Sequence, residues 1–519
     1  MASTEDQFDA VIVGGGHNGL VAAGYLARAG QRVLLLERLD KVGGAAVSAH
    51  AFDGVDARLS RYSYLVSLLP ARILEDLGAR IRLVRRHYSS YTPDPASAGR
   101  AGLLIGPQST FGAVGAAADE QGFADFYRRC RLLTEPLWPT LTEPLRTREQ
   151  ARRLVSSRSA EAEAAWETLI CSPIGHAITG AVGSDLVRGV MATDALIGTF
   201  ARAESESLTQ NVCFLYHLLG GGTGDWDVPV GGMGAVSEAL ATTAAAHGAD
   251  IVTGADVDAI TPDGDVHYRR GGQGRVVHAR FVLANVTPTV LARLTGGSEP
   301  DQTPGAQVKV NLMLRRLPHL PDATVTPEQA FGGTLHINEG YRQLDTAFDR
   351  AQSGDVPDPL PAEVYCHSLA DPTILSQELR GSGAQTLTVF GLHTPHRLVA
   401  DDPERMRGRL TSAVLDSLNS VLAEPIQGVL MRDSNGQPCI ETKTTADLEQ
   451  ALSMTAGNIF HGALRWPFAE DDEPLDTPAR RWGVQTLHDR ILLCGSGSRR
   501  GGAVSGIGGH NAAMAVLES

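Results

Sequence analysis

Two patterns in the sequence carry residue types that chemistry needs. The first is Gly14-Gly-Gly16-His-Asn-Gly19, set directly after the apolar run Asp9 to Val13. In such a pattern the first glycine permits a tight turn and the second lets backbone approach a pyrophosphate. The third allows a helix to pack closely on the strand. Glu37 ends the next apolar run, 23 positions after Gly14, where a carboxylate can accept hydrogen bonds from a ribose diol. The second pattern is Gln307-Val-Lys309-Val-Asn311-Leu-Met-Leu314. Its alternation puts Val308, Val310, Leu312 and Leu314 on one strand face, with Lys309 and Asn311 on the other. A buried ammonium without partners costs several kcal/mol. Such a lysine is therefore either held to handle protons or turned to solvent on an edge strand. The chain has only three lysines, Lys41, Lys309 and Lys443.

Further candidates are single residues in apolar or glycine-rich settings. His461, in Asn458-Ile-Phe-His461-Gly462, could act as a general base, hold substrate by a hydrogen bond, or be a satisfied structural histidine. Tyr216, His217 and His336 lie among apolar residues and are candidate pocket-lining groups, with core or loop roles as the alternative. Arg499 and Arg500 follow the Gly497 turn, where they could bind an acidic substrate group, stabilise developing negative charge, or form a solvated loop pair. No metal site is expected: His393-Thr-Pro-His396 lacks carboxylate or cysteine partners at ligand spacing, and its proline breaks a helical face.

The elements that must position these groups follow from the same periodicities. Asp9 to Val13 and Val33 to Leu36 read as buried parallel strands. Leu20, Ala22, Ala23, Leu26 and Ala27 form the apolar face of the intervening helix, whose free N-terminal amides suit phosphate. NAD and FAD share this fingerprint, so other segments must separate them. Immediately after Glu37, Arg38 leads to a second glycine pair, Gly43-Gly44. Near the C-terminus, Ile491 to Cys494 runs into Gly495-Ser496-Gly497, and Gly506-Ile507 opens a helix of small residues. Between them, Gly231 to Gly234 opens a helix followed by Ala255 to Ile260. The Gly231 region lacks both the G-x-G-x-x-G spacing and a strand-ending acid, so a second nicotinamide site is not expected there.

These blocks resemble the phytoene desaturase-like branch of FAD-dependent oxidoreductases, near the members labelled as containing a pyridine-nucleotide-disulfide oxidoreductase domain. The resemblance implies non-covalent FAD. In such proteins the Gly43-Gly44 equivalent passes near the pyrophosphate, and the strand holding Val257 brings backbone to the adenine. The Gly495 to Ile507 element closes over the ribityl chain and ring. In amine-oxidase-like members a lysine placed as Lys309 is holds a water at flavin N5. Two departures stand out. Ser496 occupies the place of a ribityl-binding acid, and Arg499-Arg500 replaces an expected His-Pro.

The expected fold class is therefore α/β, with a Rossmann-type FAD-binding domain assembled from discontinuous segments (1-75, 225-300 and 480-519). Residues 76-224 and 301-479 would form a mixed α+β substrate domain, and 519 residues suffice for both. The expected reaction is hydride transfer from a C–H bond of an apolar small molecule to flavin. An amine oxidase and a non-catalytic FAD-stabilised binding protein are the alternatives. Net charge of −14 disfavours nucleic acid and leaves room only for a weak peripheral membrane contact. Six scattered cysteines without a Cys-x-x-Cys pair, and a polar start without a leader pattern, suit a reducing cytoplasm. The oligomeric state has no signature in the sequence.

Overall fold

The computed structural model describes residues 7–519. Its first sheet is centred on Gln7–Val13, which pairs in parallel with Val33–Glu37 on one side and with Gln273–Ala284 on the other. Asp250–Thr253 adds in parallel outside Val33–Glu37, and Ile491–Leu493 pairs with the end of Gln273–Ala284. Neighbouring strands thus arrive from three distant parts of the chain. Ala255–Ile260 and Asp265–Arg270 extend the sheet as an antiparallel ribbon. All five residues of Val33–Glu37 are buried, as expected of a parallel strand covered on both faces.

The helix His17–Arg28 packs between Met233–Ala246 and Ile507–Leu517. Close approach explains the small residues there: a Cβ on Gly509 would lie 1.9 Å from the Asn18 carbonyl oxygen. A Cβ on Gly19 would sit 2.4 Å from the Gly14 carbonyl oxygen, so this glycine serves helix-on-strand packing.

The second sheet runs in the order Ile440–Lys443, Val308–Leu314, Gln385–Gly391, Ala362–Tyr365, Thr334–Ile337, Ser90–Pro93, Gly102–Ile105. Val308–Leu314 lies inside this sheet, and all seven of its residues are buried. The edge-strand reading of Lys309 is thereby overturned: the flanking strands leave it no solvent face. A helical layer, including Glu120–Leu137, Ala160–Ile170, Asp185–Thr193 and Thr209–Leu219, shares one hydrophobic cluster with the first sheet and its helices. In Ala160–Ile170 the buried positions Ala162, Ala165, Trp166, Leu169 and Ile170 follow one helical stripe. Among the described residues no helix is long and apolar enough to cross a membrane.

Candidate functional site

A cavity of about 760 Å³ opens along the C-terminal ends of the first sheet and continues beneath the second. At one end stand Glu37, Arg38 and Val257, with Gly14, Gly16 and Gly44 next along the wall. The helix His17–Arg28 starts at Gly16 with no side-chain cap, so its first-turn amides and positive dipole are free for an anion. A Cβ on Gly44 would come within 3.2 Å of Gly16 Cα, so two bare backbones face one another at this point. Asn18 Oδ1, at the start of the same helix, is buried without a hydrogen-bond partner among the described residues. Glu37 Oε2 accepts from the Gly15 N–H at 2.7 Å and Oε1 from the Leu39 N–H at 2.8 Å. The carboxylate therefore braces the glycine turn and still presents lone pairs to the cavity. An uncapped helix, opposed glycines and a strand-ending carboxylate together fit the pyrophosphate and ribose of a dinucleotide.

The Gly231 segment has the opposite character. Its amides are consumed by the protein itself: Gly231 N–H donates to Asp371 at 2.6 Å, Met233 N–H to Ser60 at 3.1 Å, and Gly234 N–H to Ser48 at 2.9 Å. No phosphate could be received there without breaking these bonds.

Beyond the nucleotide cradle, the second sheet supplies an ordered row of side chains. Register places Lys443 beside Lys309, Lys309 beside Phe390, Phe390 beside Glu363, and Glu363 beside His336. All five line the cavity. Adjacent strands are about 4.8 Å apart, so the row is a ruler with one residue per strand. Lys309 Nζ donates to the carbonyls of Ser60 and Tyr62, both at 2.7 Å, and lies 4.9 Å from the centre of the Tyr64 ring. Burial pushes its ammonium down to about 7, partly opposed by Glu441. Asn311, on the same face, bonds Glu441 and Thr388 rather than the cavity.

At the other end of the row the sequence reading makes His336 a pocket-lining candidate, and the cavity lining includes it; Glu339, Glu363 and Tyr365 were missed. His336 Nδ1 and Glu339 Oε2 are 2.5 Å apart, and the Tyr365 hydroxyl donates to Glu363. Burial raises the Glu339 and Glu363 carboxyls, the latter to about 8, and lowers the His336 imidazole. The three side chains offer ligand-type atoms within 4.8 Å of one another. His336 and Glu339 meet locally, three residues apart, but Glu363 joins them only through the pairing of Thr334–Ile337 with Ala362–Tyr365, which no local motif announces. Asn285 was also missed; its amide holds the Gly14 carbonyl at 2.8 Å.

Of the other expected residues, His461, His217 and Ser496 line the cavity. His461 has φ +62° and a buried Nδ1 with no hydrogen-bond partner among the described residues. Burial lowers its imidazole to about 4, and burial together with His461 does the same to His17. Both are neutral near pH 7. Gly19, Gly43, Gly495, Gly506 and Ile507 stand behind the wall; Ala45, Ala503 and Val504 provide the surface in their place.

Three expected substrate contacts need correction. Arg499 donates to Glu473 and to the Phe468 carbonyl. Arg500 donates to the carbonyls of Thr140, Glu143 and Trp482. Both guanidinium groups are buried outside the cavity lining and bind the C-terminal loop to the scaffold, Arg499 to the 468–473 segment and Arg500 to the end of the helical layer and to Trp482. Tyr216 is likewise buried in the helical layer and does not line the cavity.

Comparison with known proteins agrees with this geometry. A model of the NAD(P)-binding Rossmann-like domain matches residues 12–75, and one of flavin containing amine oxidoreductase matches residues 118–354. An uncharacterized protein of Mycobacterium tuberculosis is 66% identical, over 100% of this chain and 98% of its own. Pyridine nucleotide-disulfide oxidoreductase domain-containing protein 2 of Rattus norvegicus is 30% identical over 98% of this chain and 93% of its own. Among solved structures, a putrescine oxidase variant superposes with a TM-score of 0.59 at 16% identity, covering 99% of both chains.

Proposed function

The chain belongs to the flavin-containing, amine-oxidase-like FAD oxidoreductases, and from that premise we propose that it takes a hydride from a C–H bond of a largely apolar small molecule. The bound FAD supplies the two-electron acceptor. The chain's own residues bind, orient and exclude water. Gly14, Gly16 and Gly44, the open helix end at His17 and the Glu37 carboxylate hold the nucleotide half. Lys309 sits where the wall turns from that cradle to the second sheet, with a third N–H not used by Ser60 or Tyr62. In this reading that donor holds a water or moves a proton beside flavin N5.

The observation that carries the apolar substrate is the composition of the remaining wall. Phe123, Tyr127, Val190 and Leu218 from three helices, with Ile197 from the turn after Asp185–Thr193, supply an apolar surface interrupted by Arg131, Asp194 and His217. The amine reading draws on the fold shared with putrescine oxidase, but the local geometry favours it less. Tyr64 and Tyr365 have ring centres 4.8 Å apart, so they pack on each other and leave no slot between them for an alkylamine.

The test is anaerobic mixing of the oxidised holoenzyme with two panels, apolar alkenes or alkanes and primary alkylamines, while flavin absorbance is followed. Bleaching by members of the apolar panel, with a C=C bond appearing in the product, supports the proposal. Bleaching by the amines alone would replace it with amine oxidation.

A further inference from the structure

Glu363 is the one carboxyl in the cross-strand row, two strands along from Lys309 on the cavity face. We propose that Glu363 is the proton-exchanging residue of this cavity, with His336 and Glu339 as the positioning pair behind it. The inference rests on the hydride-transfer reading above and adds to it the fate of the proton.

The chemistry requires such a group. Making C=C from H–C–C–H breaks two C–H bonds. One hydrogen leaves as hydride, with both bonding electrons, for the flavin. The other leaves as a proton, and its electron pair becomes the new π bond. The proton needs an acceptor within the water-excluding cavity, here the ionised form of Glu363, whose share grows as pH rises toward about 8 and which becomes a neutral acid on accepting the proton. Reoxidation of the flavin then lets the proton pass out to solvent.

The surroundings of Glu363 suit a group that changes protonation. Glu339 and the half-buried Asp194 oppose its ionisation, whereas His336 and the Tyr365 hydroxyl favour it. Tyr64, which packs on Tyr365, keeps its own proton because burial and Glu363 both raise its phenol. The cations lie further off. Arg86 is 5.9 Å from the centre of the Tyr365 ring and bonded to Thr334, and Lys309 is two strands away. No salt bridge locks Glu363 in its charged form among the described residues, so its proton is free to come and go. Glu339 is 1% exposed and bonded to His336, which fixes the imidazole against the Glu363 side of the row.

A substrate-independent experiment tests this. Lys309 and Glu363 are two strand spacings apart, about 10 Å, and a flavin held beside Lys309 would on reduction place negative charge at about that distance. At an effective protein dielectric this raises the Glu363 carboxyl by about one pH unit. The FAD-loaded protein is reduced electrochemically, and reduced-minus-oxidised infrared spectra are recorded across the pH range. The expected result is a gain of protonated-carboxyl absorption on reduction, greatest about half a pH unit above the oxidised form's midpoint of about 8, and lost in Glu363→Gln. Tyr365→Phe removes a hydrogen bond to the ionised form and should move the gain to higher pH. This second variant serves if Glu363→Gln does not fold. Absence of any pH-dependent carboxyl signal, or its persistence in Glu363→Gln, overturns the proposal. Neither outcome depends on the substrate, so an error in the hydride-transfer reading would show separately in the panel experiment.

Discussion

Replacing Lys309 by methionine keeps the stem and removes the charge, and the structure lets both consequences be sized. In the folded state burial brings the ammonium from 10.5 to about 7. Each pH unit of displacement is worth about 1.36 kcal/mol, so housing the charged lysine disfavours folding by roughly 5 kcal/mol below pH 7. The sign follows from proton counting. Between about pH 7 and pH 10 the unfolded chain keeps a proton that the folded chain has released, so wild-type stability rises with pH across that window. Methionine abolishes this dependence. It also strips the Ser60 and Tyr62 carbonyls of their donors, at a cost of about 1–3 kcal/mol each. Near neutrality the two effects largely cancel, and Lys309→Met should unfold within about 2 kcal/mol of wild type. Toward pH 10 the variant should fall behind by several kcal/mol. Urea unfolding of the apoprotein at a series of pH values measures this directly. A wild-type-minus-variant difference that stays flat with pH would refute the depressed lysine. In the holoprotein FAD should be retained, because its pyrophosphate and ribose contacts lie elsewhere. Flavin reduction or reoxidation should slow by about 10-fold or more. Unchanged rates in both half-reactions would confine Lys309 to a structural role.

Other outcomes follow from the same contacts. The purified protein should be yellow, and acid or heat should release intact FAD; flavin that stays with the denatured chain would contradict non-covalent binding. Glu37→Ala frees the Gly15 and Leu39 amides as well as removing the ribose acceptor, so FAD affinity measured by fluorescence titration should drop by about 1–3 kcal/mol. NADH and NADPH should not bleach the flavin rapidly in stopped flow, because Asp371, Ser60 and Ser48 already occupy the Gly231 to Gly234 amides. Arg500→Met leaves two buried carbonyls and one part-buried carbonyl without their donor. It should lower stability by about 3 kcal/mol or more while leaving flavin reduction rates per bound FAD unchanged, and a selective rate loss would return Arg500 to the reaction.

The nucleotide cradle was legible because its information is local. Gly14, Gly16, Gly19 and Glu37 lie within one strand–helix–strand unit, and each glycine has a steric reason readable from its spacing. Lys309 was legible for a different reason: a charge inside an apolar alternation is anomalous wherever the strand lies. What the alternation could not say is whether that strand is an edge or an interior one. That depends on Gln385–Gly391 and Ile440–Lys443, which arrive more than 70 residues later. Arg499 and Arg500 failed for a related reason. Two guanidinium groups beside a glycine turn look the same in sequence whether their acceptors belong to a ligand or to the scaffold. Here the acceptors are Thr140 and Glu143, just after the helix Glu120–Leu137, and Phe468, Glu473 and Trp482, from the segment before Ile491–Leu493.

The cross-strand row shows where function becomes non-local. His336, Glu363, Phe390, Lys309 and Lys443 come from five strands, yet one register sets their order and spacing. Two of the chain's three lysines meet at one end, and its buried carboxyl–imidazole cluster closes the other. A row of this kind imposes direction: a flat molecule lying along it has Lys309 at one end and Glu363 about 10 Å away at the other. A one-residue slip of Ala362–Tyr365 would carry Glu363 to the opposite sheet face and put Val364 in its place. The register, rather than any single motif, therefore decides that a proton acceptor faces the cavity at all.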